Sequence, residues 1–213
     1  MNSIGITGGI GSGKSYVCHI LEEYGIPVFY TDAEAQKEML ENKDIHDALT
    51  KLTGQPATDA AGQLNKPVIS CYIARGEAYA QKVNAIVHPA VRTRMKKWLA
   101  ERKEPLAAVE CALLFEAGYQ EDVDYTIAVS APEDIRTERV MKRDRHSREH
   151  IMKMMALQMP DAEKAARADA VIINDNTQPL RPQIEKAIAR LTGLHLQDMP
   201  TRTGKANISE TKK

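Results

Sequence analysis

Aromatic residues make up only 5% of the 213 residues, with one tryptophan and two phenylalanines, and there are only three cysteines. Cys18, Cys71 and Cys111 are odd in number and widely spaced. That pattern excludes a disulfide framework and a zinc cage built on cysteine pairs. Charge of one sign is also missing: 29 Lys and Arg residues face 29 Asp and Glu residues. A balanced chain lacks the basic footprint that would point to nucleic acid or an anionic membrane surface. No apolar run approaches the roughly 18–20 residues of a membrane span. The first apolar stretch is broken by glycines, so a secretory signal is not expected. No internal repeat is visible. What is present, 43% hydrophobic and 27% charged residues, fits a globular protein of one domain, or of one domain with an insertion.

The most informative segment lies at the start. Ser3-Ile4-Gly5-Ile6-Thr7 has the pattern of a short buried strand. Gly8-Gly9-Ile10-Gly11-Ser12-Gly13-Lys14-Ser15 then fits G-x-x-x-x-G-K-[ST], and an amphipathic helix follows at once. A strand, a glycine loop and a helix in that order form an anion cradle. The glycines let backbone N–H groups turn inward, and the helix N-terminus adds partial positive charge. Lys14 can reach the β- and γ-phosphates of a nucleoside triphosphate, and the Ser15 hydroxyl can ligate Mg²⁺. Free thiols beside such a loop predict a cytoplasmic protein.

Further along, Val17, Ile20, Leu21 and Tyr24 have helical spacing and Gly25 is a natural stop. Pro27 to Tyr30 predicts a second strand. Thr31-Asp32-Ala33-Glu34 has capping-box spacing for a helix start, as does Ser130-Ala131-Pro132-Glu133. Residues 53–66 have a loose pattern and predict a surface excursion. Helical faces are expected at Tyr79, Val83, Ile86 and Val87, and again at Val91, Met95, Trp98 and Leu99, with His88-Pro89 between them. Strands are expected at Leu106–Leu114, Tyr125–Val129 and Ala170–Ile173. Their unbroken apolar runs predict a parallel sheet buried on both faces. A last helix carries Leu180, Ile184, Ile188 and Leu191. After Gly193 the pattern becomes polar, and a frayed tail is expected there.

Several residues outside the loop carry chemistry. Asp32 follows the second strand, at the sheet edge where ligands of open α/β sheets bind. A carboxylate there can accept a hydroxyl proton, bind Mg²⁺ through water, or merely help to cap its helix. Arg136, Arg139 and Arg143 share a helix face at i, i+3 and i+7. They form either a solvated face or a group that closes over transferring phosphate. Glu110 is a carboxylate inside an apolar strand and needs a partner; it is a candidate for the Mg²⁺ site, and Glu116 is a second. His88 is either an acceptor contact or a structural histidine at a helix boundary set by Pro89. Two decoys are set aside. Asn65-Lys66-Pro67-Val68 lacks the aspartate of a guanine-reading motif, and Asp59-Ala60-Ala61-Gly62 lies too close to it for a GTPase.

In order and spacing, these motifs resemble the dephospho-coenzyme A kinase family from about Ser3 to Leu191. The matching segments are the loop, Tyr30-Thr31-Asp32, His88-Pro89-Ala90-Val91, Ala112-Leu113-Leu114-Phe115-Glu116, Arg139-Val140-Met141-Lys142-Arg143-Asp144, Gln158 and Ala168-Asp169-Ala170-Val171-Ile172-Ile173-Asn174. Departures include Tyr16 where threonine is usual, Lys66 and Asn65 in place of Arg and Asp, and Arg136 where glutamine is common. The resemblance implies a three-layer α/β P-loop kinase with a five-stranded, mainly parallel sheet. It implies a nucleotide core at 1–32 and 104–192, a lid near 139–158, a helical CoA-side region at 33–103, and a polar tail at 193–213. ATP and dephospho-CoA are the expected partners, with Mg²⁺ as cofactor, no nucleic acid, no membrane, and a monomer or small homo-oligomer. Asp32, Lys14, Arg139 and Arg143 are the expected catalytic residues. Gly8, Gly9, Gly11, Ser12, Gly13, Lys14, Ser15, Tyr16 and Asn174 are expected around ATP, with Asn174 near adenine. His88, Lys66, Leu113 and Glu116 are expected on the acceptor side. The alternatives are a kinase for a nucleoside monophosphate or another small alcohol, and a non-catalytic ATP-binding module.

Overall fold

Five short apolar strands carry the fold: β1 (Asn2–Thr7), β2 (Val28–Tyr30), β3 (Leu106–Glu110), β4 (Tyr125–Ser130) and β5 (Ala170–Ile173). In the computed structural model, which describes residues 1–59 and 61–199, all pair in parallel in the order β2-β3-β1-β4-β5. Every residue of β3 is buried, and so are Ser3 to Thr7 of β1. This explains why both read as continuous apolar runs rather than as alternating patterns. Successive side chains point to opposite layers. Ile4, Ile6 and Ala108 pack with α1 (Lys14–Glu23) and with Leu180, Ile184 and Ile188 near the C-terminus. Ala107 and Val109 pack against the helices that follow β2.

Those helices are α2 (Thr31–Glu41), α3 (Lys43–Thr53), α4 (Lys66–Ile73) and α5 (Glu77–Ala100). Leu49, Tyr72, Val87 and Met95 share one core with Phe29 and Val109 of the sheet. The segment is therefore a layer on the sheet and has no separate core. The second half adds α6 (Glu133–Asp144), α7 (Arg148–Met155), α8 (Asp161–Arg167) and α9 (Leu180–Thr192). The chain leaves β1 toward β2 on one side and later crosses to β4 on the other. A switch of this kind opens a crevice at the carboxyl ends of the strands beside β1.

Several local expectations are corrected. The two helical faces around His88-Pro89 form one helix, α5, with Pro89 inside it. Val83, Val87, Val91, Met95 and Leu99 keep a single buried face through the proline, and that packing outweighs one missing backbone hydrogen bond. Neither capping box forms. Thr31 lies within α2 with its buried hydroxyl unpaired, and the Ser130 hydroxyl donates to Asp161 instead. β3 ends at Glu110, and the chain turns away through residues 112–118. The loose stretch after Thr53 ends in an antiparallel bridge between Thr58 and Leu64, and α4 begins there. The chain after Gly193 is packed as far as it is described. Leu196 and Met199 are buried against the α9 layer. The basic residues expected to fray, Arg202 to Lys213, lie outside the described residues. Among the described residues no helix is long and apolar enough to cross a membrane.

Candidate active site

The glycine loop sits between β1 and α1, and its shape depends on the absence of side chains. Gly13 has φ 98°, and a Cβ there would stand 2.1 Å from the Asn174 side-chain nitrogen. A Cβ on Gly8, at φ 148°, would stand 2.2 Å from the Val129 carbonyl. Both positions combine a left-handed backbone with a close approach that only glycine permits. Asn174 Nδ2 donates to the Ser12 carbonyl at 2.7 Å. Arg139 Nη2 donates to the Asn174 backbone oxygen at 3.0 Å and to Asn176 Oδ1 at 2.7 Å. Arg139 and Asn174 therefore both stand at the loop. The Ser12 hydroxyl is buried there without a protein partner among the described residues, a free polar group inside the anion cradle.

The arginine triplet separates. Arg136 is buried, with Nε donating to the Ala131 carbonyl at 3.1 Å and its guanidinium against Gly9. Arg143 is paired with Asp144 at 2.7 Å and is 64% exposed, with no hydrogen bond to the loop among the described residues. Tyr16 is exposed in the first turn of α1. Ser15 presents an exposed hydroxyl in the first turn, next to Lys14.

Sheet register brings the remaining charges together. Glu110 pairs with Ile6 at the end of β1 and with Tyr30 at the end of β2. Lys14, reached from β1, and Asp32, reached from β2, therefore converge on it. Lys14 Nζ lies 3.9 Å from Glu110 Oε1, and both side chains are about nine-tenths buried. Burial pushes the Glu110 carboxyl upward; Lys14 opposes that shift and the Asp32 charge adds to it. Burial also lowers His88, while Asp32 pulls it back up. The neighbouring Cys111 thiol is pushed up to about 12, mainly by burial, which leaves it unreactive at neutral pH. Among the described residues no cluster of three or more His, Cys, Asp or Glu could hold a metal alone. The oxygen donors at this edge fit Mg²⁺, which is commonly held by one or two protein groups together with substrate phosphates.

Beside this edge lies a cavity of about 490 Å³, lined along one stripe of α5 by Glu77, Asn84, His88 and Arg92 and opposite by Leu113, Glu116 and Leu157. His88, Leu113 and Glu116 are thus brought together. Lys66 is not: it is exposed at the start of α4, outside that lining. Glu116 is already engaged, since Oε1 accepts from the Met159 N–H at 2.8 Å and from Lys164 Nζ at 2.8 Å. Lys164 is fully buried and also donates to the Ala112 carbonyl. Sequence reasoning missed Lys164 and Asp161, because an Asp and a Lys in an alanine-rich helix give no periodic signal. Removing one partner of such a pair typically costs about 3–5 kcal/mol. Glu116 keeps 23% of its side chain exposed, so Lys164→Met is expected near the low end of that range, about 3 kcal/mol. Urea unfolding checks this; an unchanged midpoint would contradict it.

The family model for dephospho-CoA kinase (CoaE) matches residues 2–179. A curated dephospho-CoA kinase from Bacteroides fragilis (strain YCH46) is 41% identical over 189 residues, covering 88% of this chain and 92% of that one. One from Salinibacter ruber is 40% identical over 180 residues, covering 83% and 90%. A crystal structure from Thermus thermophilus aligns with a TM-score of 0.76 at 35% identity, covering 90% of this chain and 98% of that one. A shikimate kinase from Acinetobacter baumannii, at 15% identity and a TM-score of 0.51, shares the fold alone. The phosphate loop and the sheet-edge charges thus sit in a chain that matches one group of phosphotransferases along most of its length: it belongs to the dephospho-CoA kinase family.

Proposed function

We propose that this kinase moves the γ-phosphoryl group of ATP to the ribose 3′-hydroxyl of dephospho-CoA, giving coenzyme A and ADP in the cytoplasm. The observation that carries this reading is the convergence of Lys14 and Asp32 on Glu110, beside the cavity that holds His88. It supports a donor site and an acceptor site meeting at one sheet edge.

In this mechanism the bond from the γ-phosphorus to the bridging β,γ-oxygen breaks as the 3′-oxygen attacks in line. The amides of Gly11 to Ser15 and the Lys14 ammonium hold the β- and γ-phosphates. Mg²⁺ bound with ATP, with Ser15 as its protein ligand and Glu110 or Asp32 in reach through water, would neutralise phosphate charge. Asp32 orients the 3′-hydroxyl and takes its proton. The loose transition state asks for that proton late, so a strong base is not needed. Arg139 stands at the loop to stabilise the equatorial oxygens. Arg143 joins it only by leaving Asp144, as part of a lid at 139–158. Asn174, hydrogen-bonded to the loop, borders the adenine. On the acceptor side, 33–103 supplies the α5 stripe with His88, against core segments within 1–32 and 104–192.

ADP release measured with ATP, Mg²⁺ and a panel of acceptors tests this reading. Dephospho-CoA is expected to stimulate release far more than a nucleoside monophosphate. Equal stimulation by both, or none by dephospho-CoA, would overturn it.

A further inference from the structure

The segment between α7 and α8, with the first turn of α8, contacts both halves of the site. Leu157 lines the acceptor cavity. Gln158 Oε1 accepts from the Ile10 N–H of the phosphate loop at 2.9 Å. The Met159 N–H donates to Glu116 on the acceptor wall at 2.8 Å. Asp161 Oδ1 accepts from the Gly9 N–H at 3.1 Å, and Oδ2 accepts from the Ser130 hydroxyl at 2.6 Å. Lys164, fully buried, returns to Glu116 at 2.8 Å. No other side chain among the described residues accepts a hydrogen bond from the Gly9 or Ile10 N–H group.

We infer that this strap fixes the spacing between the phosphate loop and the acceptor wall, and that Gln158 and Asp161 are positioning residues for phosphoryl transfer. Gly9 and Ile10 lie in the first turn of the loop, and their N–H groups donate to Asp161 of α8 and to Gln158 just before it. Two acceptor oxygens on consecutive loop amides leave that turn little freedom to rotate. Asp161 also ties the turn to the end of β4 through Ser130. The same strap is bolted to Glu116 at Met159 and Lys164, so a shift of the loop relative to the cavity would have to break these bonds together. A misplacement of about 1 Å between reacting groups can lower the rate about 10²-fold. Both side chains are engaged with loop amides, which assigns them to positioning rather than to chemistry. Gln158 lies three residues beyond the end of α7, so the lid and the loop share this anchor.

The inference rests on the acceptor assignment above for its kinetic test, but not for its structural one. Gln158→Met removes the acceptor at nearly constant volume, and Gln158→Glu keeps it. Gln158→Met is expected to lower kcat about tenfold or more, within the range that misalignment gives, while the KM for dephospho-CoA and the thermal midpoint stay near those of the parent. Gln158→Glu is expected to restore most of the rate. A kcat unchanged in Gln158→Met, or a loss equally deep in Gln158→Glu, would overturn the inference. Hydrogen–deuterium exchange of the 8–13 segment gives a readout that needs no acceptor. Exchange is expected to quicken there in Gln158→Met and in Asp161→Ala, with the segments that do not touch these side chains unchanged. Unaltered exchange in that segment would overturn the inference even if dephospho-CoA proved not to be the acceptor, whereas absent dephospho-CoA turnover in the parent would count against the acceptor reading alone.

Discussion

Asp32→Asn is expected to keep ATP binding and lose about 10²–10⁴ in kcat, the usual worth of a positioned proton acceptor. The amide retains the volume and one acceptor oxygen of the carboxylate but cannot take the 3′-hydroxyl proton. The substitution also removes a charge that acts on its neighbours. Asp32 raises both Glu110 and His88 in the folded chain, so both are expected to titrate lower in the variant. NMR titration of His88 checks the sign. Steady-state kinetics and ATP titration check the rest. Near-parental turnover would remove Asp32 from the mechanism, whatever happened to His88.

Lys14→Met has two expected consequences. The first is catalytic: loss of one charge-assisted donor to the transferring phosphate lowers kcat by about 10²–10³ and weakens ATP binding. The second concerns stability. Lys14 is the group that opposes the upward push of burial on Glu110, and its removal raises that carboxyl further in the folded state. In the unfolded chain a glutamate titrates near 4.3. Between that value and the raised folded one, the folded state holds the extra proton, so its stability falls as pH rises. The deficit of Lys14→Met against the parent is therefore expected to be small near pH 5 and larger at pH 8. Urea unfolding at both values checks this. A deficit that shrinks with pH would mean that Lys14 does not restrain Glu110.

The donor half of the site was legible because its geometry is written in contiguous residues. Gly8 to Ser15 between a strand and a helix leaves few alternatives, and the positive φ at Gly8, Gly11 and Gly13 is what those glycines are for. The parallel sheet was legible for a similar reason: strands buried on both faces leave unbroken apolar runs. Spacing alone could not separate Arg139 from Arg143. Both lie on α6, but only Arg139 finds acceptors at the loop, whereas Arg143 is satisfied by its neighbour Asp144. The Ser130 capping box misled because a tertiary partner, Asp161, takes its hydroxyl, whereas Thr31 is drawn into α2 itself and cannot serve as its cap. Pro89 misled because local backbone chemistry was outweighed by the packed stripe from Val83 to Leu99. Gln158, marked only by the family resemblance, and Asp161, not marked at all, reach across about 150 positions of chain to Ile10 and Gly9. Such a side chain to backbone contact leaves no period and no local motif.

The proposed reaction is transfer to one hydroxyl. It is tested most directly by incubating the protein with ATP, Mg²⁺ and either dephospho-CoA or its 3′-deoxy analogue, and following the product by phosphorus NMR. A new phosphomonoester on the ribose 3′-oxygen, formed with dephospho-CoA and absent with the analogue, is the predicted result. Phosphorylation of the 3′-deoxy analogue, or a phosphate at any other position of dephospho-CoA, would contradict it.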